Sequence, residues 1–319
     1  AYVSYNTYPG MHMLQALREM MLYHARHETD SHQRAARARQ LVRFLAEAVT
    51  DERNRAYGTF IESYQELLER QVHEGRPQTD SVILHDELAE WNDPVYFYAF
   101  ATHAANHGLQ FLIEADVPMS MPQNLSPEVF EALQGFCENI VETEQYMDLI
   151  RNRAFRRTLL CHAAVPLDRT LRPAHLQRLA VATAARRLPE AESAGIARFA
   201  SADGATFQTD DAVTIAALDY LASIEPQAVA FPRLVDVVSE HMAPRPLSEG
   251  DVRRLAANLL KAFSYSLSLV ELHAWVAPFV RSVSERPVVS AYARYQARKG
   301  DRVANLRHER VHLDTLSRL

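Results

Sequence analysis

A change of period between residues 144 and 162 constrains this chain more than any other feature. Up to that point Phe136, Ile140, Met147, Ile150 and Ala154 recur at three-, four- and seven-residue steps, the spacing of one helical face. From Thr158 to Cys161 the pattern becomes a short apolar run that reads as a buried strand. Arg151, Arg153, Arg156 and Arg157 sit at the junction. A basic corner between a helix and a strand can clamp a carboxylate or a neighbouring domain, because guanidinium forks bond carboxylates in pairs. The same four residues also suit a solvated face of surface salt bridges, which contribute little. The clamp reading expects a bidentate bond across a domain boundary, to Asp148 or to an acid within residues 190–211.

At 319 residues, with 48% hydrophobic and 23% charged residues, the chain can bury a sizeable core in two or more domains. The net charge of −6 argues against a general nucleic-acid binder. Cys137 and Cys161 form no framework and no C-x-x-C pair, so they read as small buried hydrophobes in a reducing compartment. No apolar stretch approaches membrane-spanning length and no signal peptide is visible, which together predict a cytoplasmic protein with no membrane partner. Both ends read as cut from something longer.

The expected fold is mainly α, with a helical domain over residues 1–165, a connecting segment over 166–195 and a smaller α+β, winged-helix-like domain over 196–319. In the first domain Tyr2 to Gly10 reads as extended, and Pro9 opens a helix to about His27 with Met13, Leu17, Met20 or Met21, and His24 on one face. Ser31 reads as the N-cap of a second helix, and Asp51 caps a third over 52–72. A turn covers 75–79 and a short helix 82–88. Asp93-Pro94 reads as N-cap and first residue of an aromatic helix carrying Tyr96, Phe97, Tyr98 and Phe100, closed by Gly108. Leu109 to Ile113 is an expected strand. Ser126-Pro127 opens one long helix running into the arginine corner. His24, Glu28 and His32, and the pair His103 and His107, meet no fixed metal-ligand spacing, so no metal is expected.

Beyond His162, Leu179 to Ala184 reads as a strand, and in the second domain Asp203-Gly204 turns a hairpin between Ala197–Ala200 and Thr206–Thr209. Three helices follow, at about 211–223, 231–242 and 249–264. Leu267 to Trp275 and Val303 to Leu313 read as extended. Helices with a hairpin make a winged-helix pattern. Residues 281–312 hold eight Arg or Lys against three acids, a basic segment that invites a DNA-contacting or protein-contacting reading.

A nucleotide-type cofactor site needs a glycine-rich turn after a strand, so that backbone can approach the ligand. The nine glycines here are scattered, with no G-x-G and no alternating strand–helix series. Cofactor-binding and catalytic residues are therefore expected to be absent from this chain.

The run Gln145-Tyr146-Met147-Asp148-Leu149-Ile150-Arg151-Asn152-Arg153, continuing through Phe155-Arg156 and Thr158-Leu159-Leu160-Cys161-His162, resembles the end of the regulatory domain of bacterial S-adenosylmethionine-dependent methyltransferases, a group that includes rickettsial protein-lysine methyltransferases. The similarity extends back through Asn92-Asp93-Pro94-Val95-Tyr96-Phe97 and His107-Gly108-Leu109-Gln110-Phe111-Leu112 to about His85. Ser4-Tyr5-Asn6-Thr7-Tyr8-Pro9-Gly10 and the tail around residues 284–309 are similar to the same group, although Met11 stands where its pattern has tryptophan. The resemblance implies a non-catalytic regulatory or substrate-recognition region acting on a protein lysine. It also implies that an upstream methyltransferase domain of the same polypeptide supplies S-adenosylmethionine and methyl transfer, and that this domain and the protein substrate are the partners. On that basis Tyr5, Asn6, Tyr8 and His12 would lie near the active-site mouth, and Arg151, Arg153 and Arg156 would have a regulatory or substrate-contacting role. The alternative is a stand-alone protein-interaction or DNA-contacting winged-helix module.

Overall fold

In the computed structural model, residues 1–73, 79–189, 195–282, 284–286 and 288–314 are described. They fall into two units with separate interiors, Ala1–Leu167 and Asp168–Leu319. The described residues are helix-rich, with 51% of them helical.

The first unit runs β1 (Tyr2–Asn6), α1 (Met11–His24), α2 (Ser31–Ala48), α3 (Arg55–His73), α4 (Thr79–His85), α5 (Phe97–Asn106), β2 (Leu109–Glu114), α6 (Pro127–Phe136), α7 (Ile140–Arg151) and β3 (Phe155–His162). The expected helical domain therefore also contains an antiparallel sheet of order β1-β3-β2. β3 lies in the middle, paired along both edges, and its alternate residues Arg156, Thr158 and Leu160 are buried. Tyr2 pairs with Leu159 and Asn6 with Phe155 on one side, and Leu109 pairs with His162 on the other. A separate apolar interior joins α1 to α4 through Leu17, Met21, Ala38, Val42, Ile61, Tyr64 and Ile83.

Several helix starts differ from expectation, each for a local reason. α1 buries Met11, Leu17 and Met21, whereas Met13 is exposed. Gly10 sets that rotation: a Cβ there would meet Asn152 O at 2.4 Å and Ala154 N at 2.6 Å, so only glycine lets the helix start against the α7–β3 turn. Asp30, not Ser31, caps α2, its Oδ1 accepting from Gln33 N at 2.9 Å. Asp93-Pro94 does not open α5, which begins at Phe97. Val95 is held extended beside the end of β1, donating to Asn6 O at 3.2 Å and accepting from Tyr8 N at 3.3 Å. The single long helix expected after Ser126 is two helices. Asn139 breaks it by accepting from Val141 N and Glu142 N, at 2.9 and 3.1 Å.

The second unit runs β4 (Ala180–Ala182), β5 (Arg186–Arg187), β6 (Ala197–Ala200), β7 (Thr206–Thr209), α8 (Ala212–Ser223), β8 (Val229–Ala230), α9 (Phe231–His241), α10 (Glu249–Tyr265), β9 (Glu271–His273), α11 (Ala291–Lys299), β10 (Arg302–Ala304) and β11 (Arg310–His312). Its sheets are small: β8-β4-β9, β5-β6-β7 and the hairpin β10-β11. Gly204 takes φ +86° in the β6–β7 turn. Residues 166–189 were expected to cross between domains, but Leu176, Val181 and Ala185 belong to the buried interior with Phe199, Leu221, Phe231, Leu234 and Leu259. The cause is β4, which pairs on both edges and cannot be a free connection. The expected extended stretch 303–313 is a hairpin, and His308 takes φ 62° in its turn. The turn expected at 75–79 lies mostly outside the described residues. Among the described residues no helix is long and apolar enough to cross a membrane.

Candidate functional site

Two groups of side chains meet at the sheet of the first unit. The inner group is built on Arg156, which points inward from β3 and is only 1% exposed. Its Nε donates to Asp148 Oδ2 at 2.8 Å and its NH2 to Asp148 Oδ1 at 2.9 Å, a bidentate fork. NH1 donates to Glu114 Oε1 at 2.7 Å, and NH2 also reaches Glu144 Oε2 at 3.0 Å. The guanidinium lies 3.9 Å over the Phe97 ring. β3, β2 and α7 are thus joined through one side chain, with α5 stacked on it. Burial alone would lower the Arg156 pKa, but the Asp148 bonds and the charges of Glu144 and Glu114 outweigh it and raise it. Burial lifts Glu144 and Asp148 above the usual carboxylate range, against the pull of Arg156.

The outer group lies along β1 and the start of α1. Tyr8 stacks on His12 with centroids 4.1 Å apart, and Tyr96 lies 5.2 Å from Tyr8 and 5.6 Å from Tyr98. His12 Nε2 and Tyr96 Oη are 2.9 Å apart. The Asn6 amide donates to Asn92 Oδ1 at 2.8 Å, and Gln15 holds Asn92 O at 2.8 Å. Gln145 Oε1 accepts from Tyr98 N at 3.1 Å. Tyr98 is 53% exposed, so the row presents an open aromatic face edged with amides.

Tyr5 links the groups. Its ring stacks on Phe100 at 4.2 Å and its hydroxyl lies 3.2 Å from Thr158 Oγ1. Thr158 spends its one hydroxyl proton on Glu114 Oε1 at 2.7 Å, so Tyr5 must donate to Thr158. A directed chain therefore runs from Tyr5 through Thr158 to Glu114, which also accepts from Arg156. Burial raises the Tyr5 pKa, which keeps the phenol protonated in this chain.

Of the residues singled out in the sequence, Tyr8 and His12 stack on each other, whereas Asn6 bonds Asn92 and Tyr5 turns to Phe100 and Thr158; Arg153 and Arg156 share the buried hub. The arginine corner is corrected in one respect. The bidentate partner is Asp148, as expected, but the partners of Arg156 all lie in the first unit, because β3 turns the arginine toward α7. Arg151 is half-buried and donates to Met119 O at 2.5 Å. Arg153 lies 3.4 Å from Asp148 Oδ1. Arg157 stays at the surface, 3.5 Å from Asp116. Sequence reasoning missed Glu114, Glu144, Asn92 and Gln145, whose partners are more than forty residues away or lie across the helix–strand turn.

His103 and His107 lie with rings 4.6 Å apart, and among the described residues no group of three or more His, Cys, Asp or Glu could hold a metal. Every strand pair among the described residues is antiparallel, and Gly10 and Gly58 face their own chain's backbone, not an open cradle.

Residues 79–162 match the family model described as a predicted methyltransferase regulatory domain, and residues 285–319 match the C-terminal winged helix domain of PKMT. The winged-helix match falls on the basic segment with α11 and the β10-β11 hairpin, not on the three helices 212–265 from which that pattern was read. The uncharacterized protein RP789 of Rickettsia prowazekii is 37% identical over 171 residues, covering 54% of this chain and 29% of that protein. RP028 of the same organism is 29% identical over 112 residues, covering 35% and 42%. The structure of PKMT2 from Rickettsia typhi superposes with a TM-score of 0.79 at 24% identity, over 98% of this chain and 61% of that one. Its complex with AdoHcy gives 0.78, also at 24% identity, over 98% and 60%. At that identity the likeness establishes a shared fold. The chain spans less than two thirds of the length of each of these proteins.

Proposed function

We propose that this chain is the regulatory, substrate-recognition region of a bacterial S-adenosylmethionine-dependent methyltransferase acting on a protein lysine. Methyl transfer is assigned to an upstream domain of the same polypeptide, and this chain is not catalytic by itself. The observation that carries the reading is the regulatory-domain match over 79–162, which takes in Asn92, Tyr96, Tyr98, Glu114, Glu144, Asp148 and Arg156. The likeness to PKMT2, solved with AdoHcy, supports a methyl donor in the parent enzyme.

In this reading the Tyr8, His12, Tyr96 and Tyr98 face orients the acceptor amine and excludes water from it. An ammonium group is attracted to aromatic faces, so the approach of a lysine side chain is favoured there. The Asn6–Asn92 bond holds the 92–98 segment against β1, and the Tyr5 chain holds β1 on the hub. In the polypeptide that carries the methyltransferase domain, Tyr5→Phe and Asn6→Ala should lower turnover more than melting temperature. Lowered melting with unchanged turnover would leave these residues a purely structural role. Calorimetry of this chain with S-adenosylmethionine should give no micromolar binding; such binding would overturn the assignment of the chemistry to another domain.

A further inference from the structure

The hub holds more buried negative charge than buried positive charge. Glu114, Glu144 and Asp148 face only two buried guanidiniums, Arg153 and Arg156. The third, Arg151, is half-buried and directed at Met119 O. Two of the carboxylates are well matched. Glu114 accepts from Arg156 NH1 and Thr158 Oγ1, both at 2.7 Å, and from Arg157 N at 2.9 Å. Asp148 receives the Arg156 fork, with Arg153 Nε at 3.4 Å.

Glu144 is different. It is 0% exposed, its Oε2 shares one NH2 that Asp148 also uses, and its Oε1 has no hydrogen-bond partner. An ionised carboxyl oxygen left dry and unpaired is strongly disfavoured, whereas a proton on it removes the excess charge at once. We propose that Glu144 is held as the neutral acid in the folded protein, and that its ionisation is a pH-dependent release of the hub. The groups facing it are Asp148 on its own helix, Arg153 and Arg156 from the turn and β3, Glu114 from β2, Arg151, and the Ser120 hydroxyl. Burial raises the Glu144 pKa against the lowering effect of Arg156, Ser120 and Arg153, in the direction this geometry requires.

A group that binds its proton more tightly when folded contributes stability below its ordinary pKa, and loses that contribution as pH rises through the folded value. Once ionised, Glu144 competes with Asp148 and Glu114 for the single Arg156 fork. Glu114 anchors Thr158 and hence Tyr5, so the loosening reaches the aromatic face through that chain.

Glu144→Gln keeps the shape of the neutral acid and cannot ionise. The melting temperature of E144Q minus that of the wild-type chain should rise with pH, by roughly 2–4 °C between about pH 5 and about pH 8. A difference that stays flat or falls over that range overturns the proposal. Infrared spectroscopy of the wild-type chain gives a second readout that needs no folded variant. A protonated-carboxyl stretch at neutral pH, shifting on hydrogen–deuterium exchange only when the buried hub opens, is expected. Absence of that band at neutral pH also overturns the proposal.

Discussion

At the scale of single residues, Arg156 carries more of the first unit than its neighbours do. A buried ion pair is not stabilising merely because it is present, since desolvation offsets much of the attraction. Removing one partner is another matter, because it strands the others in a dry interior. Arg156→Ala leaves Asp148, Glu114 and Glu144 without their common donor, and should cost about 3–5 kcal/mol in urea denaturation. Arg156→Lys should recover only part of that, because an ammonium cannot make the two-nitrogen fork to Asp148. Arg157, half-exposed one position along, should tolerate alanine within about 0.5 kcal/mol. Equal effects at 156 and 157 would show that the hub has no special role.

At the scale of elements, the break between α6 and α7 decides where α7 points. A continuous helix would carry one register from Ser126 to Arg151. Instead Asn139 caps a new helix, which orients Glu144 and Asp148 at Arg156. Asn139→Ala should destabilise the chain by about 0.5–2 kcal/mol, while Asn139→Asp and Asn139→Ser retain most of the stability. If alanine stabilised the chain, the two helices would be one. The same scale explains α11, which no apolar stripe announced. Only Ala293 is buried along it, and its start rests on Ser290 Oγ accepting from Ala293 N at 3.1 Å.

At the scale of the molecule there are two units, and a perturbation inside either one is expected to stay there. Leu176 comes from a stretch that reads as a connection yet is fully buried in the second unit. Leu176→Ala should cost about 2–5 kcal/mol. Hydrogen exchange should quicken in β4 and α8 to α10 and stay at wild-type rates in β1, β2 and β3. Arg156→Ala should show the reverse pattern. Faster exchange in both units from either variant would mean that the chain unfolds as one cooperative body.

The sequence by itself determined the local parts. The sequence placed α2, α3, α8, α9 and α10 to within a few residues; α3, α9 and α10 carry an apolar stripe that can be buried only one way, whereas α8 is apolar over most of its surface. Asp203-Gly204 located its hairpin, because that turn needs a residue tolerant of positive φ. Tyr5, Asn6, Tyr8 and His12 were singled out through the resemblance of residues 4–10 to methyltransferase regulatory regions, not through any period of their own. Only the tertiary structure decided the rest. It paired β1 with β3, from Asn6 with Phe155 to Tyr2 with Leu159, pulled Val95 out of helix into an extended contact, and turned Arg156 inward to meet three carboxylates. A guanidinium is equally at home in water or in a buried fork. Which of the two it occupies depends on where distant acids are placed, and no periodicity within the arginine corner encodes that.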